Sequence, residues 1–285
     1  MRRVLVTGAS GQLGAYLLRE LRREDCDVTA WNGTRGVDLG DEAAVSAAFR
    51  AARPDVVLHA AAMARIADCH RDPPRARRVN TDGTAALARL AAESGARLVF
   101  VSTDLVFDGE KPPYREGDAV GPLSVYGRTK ADAEAAVLAA PRAVVVRVSL
   151  LFGLSLNGRP SFFDEQVAGL RSGKPVTLFA DEWRTPLDLA TAARALLAAA
   201  RSDCTGLLHL GGPERLSRLE MGRRLAAHLG ADAAAIRAGR RDEVPAPESR
   251  PRDTSLDSSR WRTLFPEFVR PFEEALREML QGPVV

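Results

Sequence analysis

Arg3-Val4-Leu5-Val6-Thr7-Gly8-Ala9-Ser10-Gly11-Gln12-Leu13-Gly14 decides the fold. A short apolar run, Arg3 to Val6, leads into Gly8, Gly11 and Gly14, and the amphipathic stretch from Gln12 to Arg23 follows. A glycine pattern with a strand before it and a helix after it is the signature of a dinucleotide-binding turn. The first glycine makes the tight turn, the second lets the backbone approach a pyrophosphate, and the third lets the helix pack closely. The helix start then offers free N–H groups and the positive end of its dipole to phosphates. Gly8, Ser10, Gly11, Gln12 and Leu13 are therefore the expected cofactor-phosphate contacts.

The same alternation of apolar run and amphipathic stretch continues outward. Strands are expected at Asp27 to Trp31, Asp55 to His59, Arg97 to Val101 and Ala143 to Val148. The intervening helices are expected at Glu42 to Ala52, Ala76 to Ser94 and Ser124 to Ala139. Continuous apolar strands separated by helices predict a parallel sheet covered on both faces. Right-handed crossovers make it a doubly wound α/β sheet of the Rossmann type, whose ligands bind beyond the carboxyl ends of the strands. Gly8, His59, Ser102, Thr103 and Ser149 all fall on that rim. Beyond about Gly153 the pattern weakens into helices at Ser161 to Ser172, Leu187 to Ala200, Arg218 to Leu229 and Arg270 to Gln281. A strand is expected at Leu207 to Leu210 and a proline-rich, charged loop at Val244 to Asp253. The expected division is a dinucleotide-binding domain, 1–155 and 176–211, with a smaller C-terminal α/β substrate lobe, 156–175 and 212–285.

Tyr126-Gly127-Arg128-Thr129-Lys130 supplies the chemistry. An i,i+4 pair shares one helix face, and Lys130 is one of only three lysines, with Lys111 and Lys174, so the spacing carries weight. A free tyrosine titrates near pH ~10, which is poor for acid–base work at neutral pH. A nearby ammonium is expected to lower that value by favouring the phenolate. Lys130 can also grip cofactor ribose hydroxyls, and Thr103, at a strand end, can polarise the same substrate carbonyl. Thr103, Tyr126 and Lys130 are the catalytic candidates, with Tyr126, Lys130 and Ser102 also placed beside the cofactor. Asn80 is either a support for the lysine or a satisfied core amide.

The second strand ends Trp31-Asn32-Gly33-Thr34-Arg35 without the acid that holds an NAD ribose. Arg35, beside Asn32, offers a guanidinium for a 2′-phosphate. NADP is therefore expected, with NAD the alternative. Net charge is +3 and the basic residues are scattered without interleaved aromatics, which argues against nucleic-acid binding. Three cysteines, far apart, argue for a reducing compartment and against a disulfide framework. Cys69-His70 lacks the further ligands of a metal site. No run approaches the ~20 apolar residues of a membrane span, and Val4-Leu5-Val6 is too short for a signal peptide. A cytoplasmic protein with no membrane association is expected.

Taken together, the motifs resemble the extended short-chain dehydrogenase/reductase superfamily, and within it the dTDP-4-dehydrorhamnose reductase group. The likeness rests on Thr7 to Gly14, Asp38-Leu39, Pro54 to Ala62, Val79-Asn80, Ser102 to Gly109, Tyr126 to Lys130 and Arg250-Pro251-Arg252, in family order. It implies Thr103, Tyr126 and Lys130 as the catalytic triad, Asp38 and Leu39 near the adenine, and Ala60, Ala61 and Ala62 along the cofactor. It implies a nucleotide-sugar substrate, with Asp104, Phe107 and Arg250 on the substrate side. Leu105, Leu150 and Met63 stand where these reductases carry aromatics. Leu105 also replaces the glutamate of nucleotide-sugar dehydratases, which argues against dehydration. Ala15-Tyr16 replaces the glutamate of magnesium-bridged dimers, so neither that metal nor that dimer is expected, and the state is a monomer or homodimer. The expected reaction is NAD(P)H-dependent reduction of a nucleotide-linked keto-deoxysugar. The alternatives are a non-catalytic NADP-binding regulatory subunit of another enzyme and a nucleotide-sugar epimerase.

Overall fold

The computed structural model describes residues 2–33, 36–268 and 270–281. Six parallel strands form the central sheet: β1 (Arg3–Thr7), β2 (Asp27–Trp31), β3 (Val56–His59), β4 (Arg97–Thr103), β5 (Ala143–Val148) and β10 (Gly206–Leu210), in spatial order β10-β5-β4-β3-β1-β2. Their valine- and leucine-rich sequences follow from burial on both faces: β3, β5 and most of β4 are buried throughout. One face is covered by α1 (Gln12–Leu21) and α8 (Leu189–Arg201), the other by α2 (Glu42–Ala52), α5 (Gly83–Ser94) and α6 (Val125–Leu138). The strand order reverses at β1 and β3, so a crevice opens beyond their carboxyl ends. The turn after β1 carries Gly8 and the turn after β3 carries Ala60 to Ala62.

Side-chain caps set the helix starts. Asp41 accepts from Ala44 N–H at 3.0 Å and Ser124 from Gly127 N–H at 3.1 Å, satisfying donors that no intrahelical carbonyl can reach. The long helix expected from Ala76 is interrupted. It runs as α3 (Ile66–Arg71), α4 (Pro73–Arg77), a π-helical turn (Arg78–Asp82) and then α5. Asn80, in the π turn, is fully buried, and such turns concentrate at functional sites.

The lobe holds β6 (Leu151–Phe152), α7 (Phe162–Arg171), β7 (Val176–Phe179), β8 (Trp183–Arg184), β9 (Leu187–Asp188), β11 (Leu216–Ser217), α9 (Arg218–Leu229) and β12 (Ile236–Gly239). α10 (Ser259–Leu264) and α11 (Phe272–Gln281) complete the chain. Two segments cross the expected division. β7 pairs with β12, and Val176 packs on the lobe core, so residues 176–179 sit with the lobe. Conversely, Trp261 and Phe265 return to the sheet and pack against α1 and α8 side chains. Among the described residues, no helix is long and apolar enough to cross a membrane.

Candidate active site

The turn after β1 is built for close approach. A Cβ on Gly8, whose φ is +70°, would lie 2.7 Å from the Ala61 backbone, and one on Gly14 would lie 2.1 Å from the Gly8 carbonyl. Bulkier residues there would push the helix and the Ala60–Ala62 turn apart. A fully buried hydrogen-bond chain braces that turn from below. Thr84 Oγ1 donates to Asn80 O at 2.7 Å, so His59 Nε2 must donate to Thr84 at 2.8 Å. His59 Nδ1 then accepts from Thr7 Oγ1 at 2.6 Å, while Thr7 Oγ1 accepts from Ala61 N–H at 3.2 Å. Burial lowers the His59 pKa to about 3, with Lys130 adding to the shift, so this neutral tautomer persists.

A cleft of about 530 Å³ extends from this turn and is lined by Thr7, Gly8, Asp38, Leu39, Ala61 and Ala62 among others. These are a cofactor's expected neighbours. Asp38 spends one oxygen on Gly40 N–H at 2.9 Å, which shapes the turn rather than offering both oxygens to a ligand. Gln12 reaches the lobe, donating to Arg159 O at 2.6 Å, and Asn157 donates to Ser10 O at 2.9 Å. The glycine turn is thus tied to residues 155–159. Gln12 Oε1 is buried without a partner among the described residues. Leu13 packs against the sheet core, and Asn32 is exposed at the end of β2. Arg35 lies outside the described residues. Arg71 and Arg75 also line the cleft, which the scatter of basic residues along the sequence does not reveal.

Thr103 ends β4, and Tyr126 and Lys130 lie on the first turns of α6, so the three catalytic candidates come together on the carboxyl rim. Lys130 is 2% exposed, its Nζ sits 4.0 Å from the Phe100 ring centre, and it donates to no protein acceptor among the described residues. Burial lowers its pKa to about 7, with Glu134 partly opposing the shift. Tyr126 departs from expectation. Burial raises its pKa, hydrogen bonding from Thr103 pulls it down, and Asp104 and Cys69 raise it further. The phenol therefore keeps its proton, which is the state a proton donor needs.

Three further expected contacts have protein partners. Ser102 is buried and donates to Glu134 Oε1 at 2.5 Å, bracing the Glu134–Arg147 pair, whose closest approach is 2.6 Å. Phe107 is fully buried and stacks on Tyr114 at 4.0 Å between ring centres. Asp104 is buried and accepts from Thr254 Oγ1 at 2.8 Å, with Arg184 3.5 Å away, so it joins the rim to the lobe. Burial raises its pKa against the pull of Arg184. Asn80 proves to be a satisfied amide. It donates to Thr129 Oγ1 at 3.0 Å and Met63 O at 3.1 Å, and accepts from Met63 N–H at 2.7 Å. Arg250 is half-buried in the lobe, 4.9 Å from the Phe179 ring centre.

Comparison with known proteins agrees with this fold. Residues 1–284 match the family described as RmlD substrate binding domain. A dTDP-4-dehydrorhamnose reductase of Mycobacterium tuberculosis is 34% identical over 99% of this chain and 93% of its own length. A methionine adenosyltransferase 2 subunit beta of Pongo abelii is 33% identical over 98% of this chain and 87% of its own. The solved dTDP-4-dehydrorhamnose reductase of Clostridium acetobutylicum superposes with a TM-score of 0.90 at 28% identity, covering 99% of both chains.

Proposed function

The chain belongs to the RmlD substrate binding domain family, and from that membership we propose that it is an NADPH-dependent reductase of a nucleotide-linked keto-deoxysugar. One arrangement supports the reading most: the Tyr126 phenol, which burial keeps protonated, hydrogen-bonds with the strand-end Thr103, and buried Lys130 lies one turn further along the same helix. The close approaches at Gly8 and Gly14 and the lined cleft fit a dinucleotide. When bound, its nicotinamide supplies hydride to a carbonyl carbon. This chain's residues do the rest. Tyr126 gives its hydroxyl proton to the oxygen on which negative charge develops. Thr103 donates a hydrogen bond to the same oxygen, and such pre-placed donors act by stabilising charge that grows in the transition state. Lys130, without an acceptor among the described residues, holds ribose hydroxyls and keeps a positive charge near the phenol once an anionic ligand favours its protonation. Arg250, on the lobe, is the group proposed for the substrate phosphates.

NADPH oxidation against a panel of nucleotide 4-keto-sugars tests the reading. Tyr126→Phe is expected to abolish turnover, a loss of at least about a hundredfold, while NADPH affinity stays nearly intact. A Phe variant that reduces substrate at the normal rate overturns the assignment. A second reading, a cofactor-binding subunit of another enzyme, is favoured by the similarity to methionine adenosyltransferase subunits beta. Absence of turnover with every keto-sugar, together with co-purification of a larger partner, would support it.

A further inference from the structure

One lobe carboxylate reaches across to the helix that carries the proton donor. From the end of β12 the chain crosses the surface, and Asp242 to Pro247 are exposed. Both ends of the crossing are fastened. Arg241 N–H donates to Asp181 Oδ1 at 2.9 Å. Beyond the other end, the backbone packs so tightly on Gly109 that a Cβ there would lie 2.8 Å from Arg252 N. Between these anchors Glu248 turns inward, its side chain 8% exposed. Its two oxygens accept from Val125 N–H at 2.9 and 3.1 Å. Arg128 Nη2 lies 3.4 Å away and His70 Nδ1 3.7 Å away.

The placement is unusual in what it joins. Val125 is the first residue of α6, so its N–H has no intrahelical acceptor, and Ser124 is already committed to Gly127. A carboxylate there meets both the free donor and the positive end of the helix dipole. The next residue is Tyr126, and two residues beyond Glu248 is Arg250. We propose that Glu248 is a positioning residue: it latches the strap carrying Arg250 to the amino end of the catalytic helix, fixing the substrate lobe relative to Tyr126. The proposal rests on the reductase reading for its kinetic consequence.

Glu248→Ala and Glu248→Gln test it in the full chain. The Ala variant should lose about ten- to a hundredfold in kcat/KM for the keto-sugar, since small misplacements are costly to catalysis. Its NADPH dissociation constant should change by less than about twofold, because neither Glu248 nor Val125 lines the cofactor cleft. The Gln variant, whose amide oxygen still accepts from Val125 N–H, should recover most of the loss. Hydrogen exchange across residues 124–130 should speed up in the Ala variant and not in the Gln variant. Wild-type turnover in the Ala variant, an equal fall in NADPH affinity, or unchanged exchange overturns the proposal. If the wild-type chain reduces no keto-sugar, the reductase reading fails, and the exchange comparison alone still decides the latch.

Discussion

Lys130 shows how far a residue's chemistry departs from its type. In the unfolded chain a lysine holds its proton to about pH 10.5, whereas burial brings Lys130 down to about 7. If the charged form grips the cofactor, kcat/KM for NADPH should hold below pH 7. Above it, kcat/KM should fall about tenfold per pH unit, because that quantity reports groups of the free enzyme. A pH–rate profile of Lys130→Met, flat through this range at a reduced level, checks the assignment. The stability sign is opposite. Between pH 7 and 10.5 the unfolded chain binds the extra proton, so this group makes folding more favourable as pH rises. The placement of Tyr126 and Lys130 on one helix, and of the glycines between a strand and a helix, was legible because local spacing determines both. Ser102, Asp104 and Phe107 belong to the same motif as Thr103, and no motif records the protein partners their side chains take, Glu134, Thr254 and Tyr114.

Elements were legible in proportion to their length. Asp27–Trp31, Glu42–Ala52 and Arg218–Leu229 match expectation residue for residue, because periodicity and capping agree there. The two-residue strands of the lobe and its β7–β12 pair went unread, since so few residues carry no period and their partners lie up to 60 positions away. The meeting of α6 with the loop after β4 was equally hidden. It depends on Gly127, where a Cβ would sit 2.3 Å from Leu105 O. Gly127→Ala should force that helix outward, cost about 1–3 kcal/mol in chemical denaturation, and lower turnover more than it lowers NADPH affinity. Equal losses in the two would show that the glycine serves only packing.

At the scale of the whole molecule, two buried histidines set an acid limit. Burial brings His59 to about 3 and His209 to about 4, both below the ordinary 6.5. As pH falls below 6.5, the unfolded chain takes up protons that the folded chain refuses, so each site removes up to about 1.4 kcal/mol of stability per pH unit. Denaturant midpoints measured from pH 7 to 4 should therefore fall steadily. A His209→Gln variant, unable to titrate, should show a shallower slope. A midpoint independent of pH across that range would contradict the buried neutral assignment. The sheet itself was legible as a class, whereas the interleaving of lobe and sheet along the chain was not. Trp261 and Phe265 complete a core whose strands were encoded by residue 210. During synthesis, the earliest strands emerge from the ribosome long before the aromatic rings that seal them. A nascent chain paused before residue 260 thus exposes an unfinished apolar face to chaperones and proteases.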